Sequence, residues 1–564
     1  MFILGLSSFT HDAAAALLDK GTIKAAIEDA KLLRSKPHGV PEMAMAYCLA
    51  KSGIGWHDLD VVAVANRPFR GWLRRSLLPL SGFPASPLSN AYYEANELGM
   101  LASQLGDLRQ LRHQNGSRTL KVLCLEHHLC HAASAFFLSP FERALVVTMD
   151  EGRHGESGVV AMGERTQLQV LRTVSFPHSL AWVYSQVTDL LGFVPHQEEH
   201  KTQWLSVEGD SAFKDVFLDM MRDSDSPLPH LNPTFVKRDA SGRLRFSQHF
   251  YGSTGLSGRG ADLPDDVRRA LASSLQQACF EIIRDLILYF RQKHGVQKVC
   301  LGGGLFQNVV LVAALEKELG MNEIFVPPAP GNSGCSVGAG LLVRHQLMGK
   351  AREESISHVY LGPAYNRHEI KDVLDNSKAR YSYLNTEERR LDCAIQLLQA
   401  GKIIGWFQGA VEFGPRALGN RSLLASPWAP YVRENLNDYI KHREWFRPFA
   451  IAIPEEDCPE FFDCSRLCMF MNSLGWLRPG NHVLPEGFTL PGGQVRLHIV
   501  EKKSNPQFWR LLKRFGTVAP APMLINTSFN LAGEPLVAKP QDALRSYFCS
   551  GTDALVIEGF VLSK

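Results

Sequence analysis

His127 and His131 stand four residues apart in EHHLCHAASAFF, and Asp150 closes the apolar run RALVVTMD that follows. At i and i+4 on a helix two imidazoles project from one face, the spacing with which a helix chelates a metal ion. Asp150 is the nearest third ligand, and His128 points elsewhere around the helix. Zinc, iron and manganese all accept such donors. The spacing therefore leaves the metal open, and it leaves open a core or capping histidine pair as well.

Two glycine-rich loops offer a different chemistry. Gly302, Gly303 and Gly304 in LGGGLFQN lie between a strand pattern and a helix pattern, and Gly331 opens GNSGCSVGAG. Glycines there let backbone amides approach an anion at a helix N-terminus. Neither loop is GxGxxG or a Walker loop. A third constellation is cationic. Arg416 and Arg421 lie in GAVEFGPRALGNRS, and Lys441, Arg443 and Arg447 follow in YIKHREWFRPFA, interleaved with Trp445, Phe446 and Phe449. Arginine offers paired donors to phosphate and lysine a point charge, so a polyphosphate pocket is expected. Ion pairing with Glu412, Glu434 and Glu444 is the competing account. LINTSFN ends a strand pattern on Asn526, Thr527, Ser528 and Asn530, a polar tip suited to a ligand. Cys458, Cys464 and Cys468 lack a zinc-like spacing and a fourth partner, and are expected to be structural.

These residues need scaffolds to hold them. A chain of 564 residues exceeds one compact core and predicts two or three domains. A hydrophobic fraction of 45% and a charged fraction of 21% are those of a globular protein. A net charge of +3 argues against a nucleic-acid-coating or membrane-binding surface. Eleven scattered cysteines without a CxxC pair suit reduced thiols and a cytoplasmic location. The start MFILGLSSFTHD lacks a basic segment of the secretory type, and no uncharged apolar stretch is long enough to span a bilayer. The patterns predict an α/β protein. A meander of three strands opens it, and helical periodicity is expected from Pro41 to about Asn115. A second strand–turn–strand unit through RALVVTMDEG and GVVAMGE resembles the first. Residues 212–265 are expected to be an irregular surface insertion, 351–386 a linker, and the remainder a second α/β domain.

Taken together, GLSSFTHDAAAALL, EHHLCHAASAFFLSPF, LGGGLFQN, EFGPRALGNRS, KHREWFRPFA and INTSFNLAGEPLV resemble the bacterial O-carbamoyltransferases of nodulation-factor and antibiotic tailoring, over nearly the whole chain. The resemblance implies an N-terminal duplicated ASKHA domain of the actin/Hsp70 kind over 1–350 and a C-terminal YrdC-like domain over 387–564. It implies two steps: carbamoyl phosphate and ATP give carbamoyl adenylate and pyrophosphate, and the carbamoyl group then passes to a hydroxyl of a sugar or other small acceptor. By the same resemblance His127, His131 and Asp150 hold a divalent metal, with iron the metal it points to, and Mg2+ accompanies ATP. Lys441, Arg443, Ser528 and Asn530 form the activating set, His11 lies beside the acceptor as candidate general base, and Asn308, Gly302–Gly304, Gly331, Arg416, Arg421 and Arg447 contact the nucleotide and phosphates. A homodimer is compatible with the family.

Three departures stand out. The loop that usually supplies a last metal aspartate has Asn332, the position of a second asparagine after LFQN is Val312, and a usual acidic EERF reads EDAKLLR. An ASKHA kinase or ATPase leaves the C-terminal cations unused. A tRNA-modifying threonylcarbamoyl enzyme calls for a broader basic surface. A degenerate binding protein would not be expected to retain Lys441, Arg443, Ser528 and Asn530.

Overall fold

The computed structural model describes residues 1–7, 12–35, 39–67, 120–153, 155–240, 243–352 and 355–564, with isolated positions between 99 and 109. His11 lies outside the described residues, as does most of the stretch from Pro41 to about Asn115 expected to be helical.

Two compact units account for the chain. The first comprises Met1–Ile23, His38–Pro41 and Leu49–Ser355; the second comprises Lys24–Pro37, Glu42–Cys48 and Ile356–Lys564. The expected duplication is visible in strand order. β1 (Phe2–Ser7), β2 (Ala14–Asp19), β3 (Thr22–Glu28), β4 (Leu59–Val64) and β5 (Val122–Cys124) form a sheet ordered β3-β2-β1-β4-β5. β6 (Arg143–Arg153), β7 (Glu156–Glu164) and β8 (Gln167–Ser175) belong to a second sheet. They are followed by a β9–β10 hairpin (Val236–Arg238 and Leu244–Phe246) outside it. β11 (Val299–Gly302) and β12 (Ile324–Phe325) complete the second sheet as β8-β7-β6-β11-β12. In both sheets the first strand pairs antiparallel with the second and parallel with the fourth. The same meander followed by two parallel strands thus occurs twice.

Two expectations change here. LDVVAV at β4 is a strand, parallel to β1, inside the stretch expected to be helical. Its valines are buried, and a short β-branched apolar run suits a sheet interior better than a helix. Residues 212–265 contain helices Lys214–Met221 and Gln248–Thr254 and bury Phe217, Phe235 and Phe250. Within that segment Phe250 meets the rings of Phe217 and Phe246.

The second unit is built on a mixed eight-stranded sheet. Its central strands are Ile404–Phe407, Arg421–Ala425, Leu524–Ser528 and Ala450–Pro454. Within 351–386 a helix, Arg367–Asn376, has an Asn366/Glu369 capping box. It places Ile370 and Leu374 in this unit's core. The EDAKLLR stretch also belongs to this unit. Glu28 Oε1 accepts from Gly414 N at 2.7 Å, and Lys31 Nζ donates to the Glu412 and Gly414 carbonyls, each at 2.7 Å. Arg34 donates to the Pro535 and Leu536 carbonyls and pairs with Glu534 at 2.6 Å. Described side chains of that departure therefore clasp loops of the second unit.

Candidate functional site

In the first unit, helix His127–Phe137 presents both imidazoles toward the end of β6. His127 Nε2 and His131 Nε2 lie 3.1 Å apart, and Asp150 Oδ2 is 3.4 and 3.3 Å from them. Burial alone would raise the Asp150 pKa, but the hydrogen bonds and charge of His127 and His131 outweigh it. The carboxyl is held well below the usual range. The carboxylate is fixed further, with Oδ1 accepting from Glu151 N at 2.8 Å. Three convergent donors, two imidazoles and a carboxylate, fit a divalent cation.

The glycine triplet has a packing role here. Gly303 has φ of +97° and lies so close to Met149 that a Cβ would stand 2.2 Å from its carbonyl oxygen. A Cβ on Gly302 would meet the His131 carbonyl at 3.0 Å, and one on Gly304 would meet Asp150 Oδ1 at 3.0 Å. The loop can approach the histidine–aspartate cluster because side chains are missing there. Gly331 packs against Gln307, where a Cβ would lie 2.1 Å from Nε2. Asn308 caps helix Val309–Leu319 by accepting from Leu311 N at 3.0 Å, and it exchanges hydrogen bonds with Gln276.

Asn332 is buried, and its carbonyl accepts from Cys335 N at 3.0 Å. Cys335, which sequence reasoning passed over, brings its Sγ to 4.0 Å from His127 Nδ1. Among the described residues His127, His131 and Cys335 form a buried group able to hold a metal ion. Only the spacing from the Asn332 loop could have suggested this thiol.

In the second unit, the π-helical segment Asn435–Lys441 ends at His442 in the left-handed region, so Lys441 closes the helix and Arg443 follows just beyond it. Lys441 Nζ donates to the Ser528 carbonyl and, at 2.7 Å, to Asn530 Oδ1; Ser528 Oγ donates to that same oxygen at 2.8 Å. Burial, then Arg443 and Arg447, push the Lys441 pKa well below the ordinary lysine value. Arg443 Nε donates to Asn437 at 2.9 Å and its guanidinium lies 4.0 Å over the Phe449 ring. Burial and Arg447 lower its pKa to about 9. Arg416 is lowered to about 10 by burial and by Arg447. Arg447 also approaches Glu444 at 3.7 Å.

Arg496 joins this cluster. Burial lowers it well below the arginine range, and Arg416, Arg443 and Arg447 add to the shift. The only clue in sequence is an arginine inside the apolar strand run VRLHIV.

Arg421 is placed elsewhere. It is fully buried, donates to the carbonyls of Gln408, Asn420, Gly409 and Pro363, and stacks 3.5 Å from the Phe407 ring centroid. Its donors hold the chain between residues 408 and 421. Glu412 acts on the same loop: buried Oε1 accepts from the backbone of Leu418, Asn420 and Arg421. This carboxylate and guanidinium together shape the loop that carries Arg416.

Among the described residues no helix is long and apolar enough to cross a membrane. Comparison with known proteins gives two family matches. Carbamoyltransferase N-terminus covers residues 2–74 and 81–341, and Carbamoyltransferase C-terminus covers 395–564. The chain is 30% identical to the uncharacterized protein sll1178 of Synechocystis, over 100% of this chain and 96% of that one. It is 30% identical to nodulation protein NolNO of Sinorhizobium fredii, over 99% and 80%. It is 26% identical to nodulation protein U of Rhizobium tropici, over 94% and 91%. Among solved structures, full-length HypF in its phosphate- and nucleotide-bound form aligns with 62% of this chain at 14% identity and TM-score 0.32. The match spans about half of that protein, 47%. A ROK hexokinase from Thermus thermophilus aligns with 62% of this chain and 100% of its own at 14% identity and TM-score 0.30.

Proposed function

Because the chain belongs to the carbamoyltransferase family, we propose that its second unit activates a carbamoyl group as an adenylate and its first unit passes that group to an acceptor hydroxyl. The observation that carries this reading is the Lys441–Ser528–Asn530 contact set among Arg416, Arg443, Arg447 and Arg496. So many cations crowded and half-buried call for a polyanion, and ATP together with carbamoyl phosphate supplies one. Bound phosphates would offset the mutual repulsion, and charge-assisted hydrogen bonds from guanidinium to phosphate are the strong ones.

In the activation step carbamoyl phosphate, water and ATP give carbamoyl adenylate, pyrophosphate and phosphate. The arginines orient the phosphates and neutralise charge that gathers on departing pyrophosphate. Lys441, which donates to Ser528 and Asn530, is assigned the role of donating to the carbamoyl oxygens. In the transfer step the acceptor oxygen bonds to the carbamoyl carbon and the bond to AMP breaks. The hydroxyl proton leaves to a base, for which His11 is the candidate. A divalent cation held by His127, His131 and Asp150 would supply Lewis-acid stabilisation of charge on the group being transferred. The chain's own part is to fix those three donors with Gly303 and the β6 backbone. The acceptor is proposed only as a hydroxyl-bearing sugar or other small molecule.

The test is pyrophosphate release when carbamoyl phosphate and ATP are supplied without acceptor. Release that requires both substrates supports the reading; its absence, with transfer still occurring from carbamoyl phosphate alone, overturns the adenylate route.

A further inference from the structure

Three thiols outside both clusters converge in the second unit. Cys458 opens a one-turn helix Cys458–Phe461; the two-residue strand Phe462–Asp463 leads to Cys464; and Cys468 lies in the turn Arg466–Phe470. This turn–strand–turn path folds the segment back on itself. Cys458 Sγ and Cys464 Sγ are 3.1 Å apart. Cys458 and Cys468 are buried, with 2% and 0% exposure, while Cys464 is only partly covered.

The distance separates two chemistries. Thiolates sharing a tetrahedral zinc at about 2.3 Å each would stand about 3.8 Å apart, which is wider than this pair. Sulfurs in contact at 3.1 Å instead suit thiol–disulfide exchange, where one sulfur must reach the other directly. We propose that Cys458 and Cys464 are a redox-active dithiol and that its co-reactant is a low-molecular-weight disulfide.

Cys464 is the attacking thiol, because it is the least buried of the three. Hydrogen bonds from Cys458 and Cys468 hold its pKa below the usual thiol value, against burial and the nearby Asp463, with Arg478 helping. The hydrogen bond that favours the Cys464 thiolate raises the Cys458 pKa, which makes Cys458 the resolving thiol. The exchange balances as follows. Cys464 sulfur bonds to one sulfur of the small disulfide, whose S–S bond breaks and releases one thiol after protonation. Cys458 then loses its proton, bonds to Cys464 sulfur and expels the second small thiol. Two protein thiols are oxidised, and one disulfide is reduced to two thiols.

The experiment treats the intact folded chain with oxidised glutathione, blocks remaining thiols and maps the peptides by mass. The expected product is a single Cys458–Cys464 link, two hydrogens lighter than the reduced pair, with Cys549 alkylated or glutathionylated but never joined to either. In Cys458→Ser, glutathione should remain trapped on Cys464. Recovery of the pair as free thiols while exposed Cys549 is modified would overturn the proposal, as would a link through Cys468 in the wild type. The wild-type map stands even where a variant fails to fold.

Discussion

The two charged clusters solve opposite problems. In the first unit a single carboxylate is held between two imidazoles, and its pKa falls well below the usual range. In the second unit Lys441 and four arginines crowd together, and those whose pKa moves are pushed down by burial and by one another. Three convergent lone-pair donors suit a cation, and the crowded cations suit anions. The contrast teaches that like charges crowded together depress one another's proton affinity, whereas a carboxylate between imidazoles is held ionised. Arg421, equally cationic, donates to carbonyls of its own loop and to the Pro363 carbonyl.

The contrast breaks most directly at the cations. Lys441→Ala and Arg443→Ala should abolish pyrophosphate release. Loss of one charge-assisted contact costs about 1.5–3 kcal/mol in binding, one to two factors of ten, before any catalytic loss. Near-wild-type release in both variants would remove the second unit from the activation step. Next in size, His131→Ala should leave that release intact while lowering transfer from supplied carbamoyl adenylate by at least about a hundredfold. Bound metal, counted after desalting, should fall in parallel; native transfer by metal-free protein would refute the assignment.

A finer test reads Lys441 through protons. A lysine whose folded pKa is depressed opposes folding of the empty protein while it is charged. That opposition fades as pH rises through the folded value, which lies well below 10.5. Anion binding needs the charge, so affinity for pyrophosphate should weaken through the same window. Binding should also be accompanied by proton uptake, measured by calorimetry in buffers of different ionisation enthalpy. Unchanged uptake in Lys441→Met would show that another group titrates. The smallest effect is expected at Asn332. Asn332→Asp should tighten metal binding on the order of tenfold by offering a second charged oxygen. Unchanged or weaker affinity in a side-by-side titration at fixed pH would exclude position 332 from the ligand set.

Local spacing made the first cluster readable. His127 and His131 are set by helix geometry within one turn, and Asp150 follows on the next strand. Lys441 with Arg443 and Ser528 with Asn530 were readable as two polar sets, and the fold joins them through Lys441 Nζ. Arg421 and Arg416 were indistinguishable in EFGPRALGNRS, because residue type carries no information about which carbonyls a guanidinium will meet. The antiparallel pairing of Phe407 with Arg421 puts the latter over an aromatic ring and among its own loop's carbonyls. Cys458 and Cys464 lacked a metal-ligand spacing, yet a two-residue strand between two turns brings their sulfurs together.

Sequence by itself determined the α/β class, the repeated opening meander, the histidine pair with its aspartate, and the polar types at 441, 443, 528 and 530. Each of these rests on periodicity or on residues close in the chain. Tertiary structure decided the rest. It recruited Arg496 to the cation cluster, turned Arg421 inward, bound Glu28, Lys31 and Arg34 to loops near residues 412 and 535, and set Cys335 beside His127. Those outcomes depend on contacts between segments far apart in sequence, where side-chain type states what a residue can bind and only the fold states what it meets.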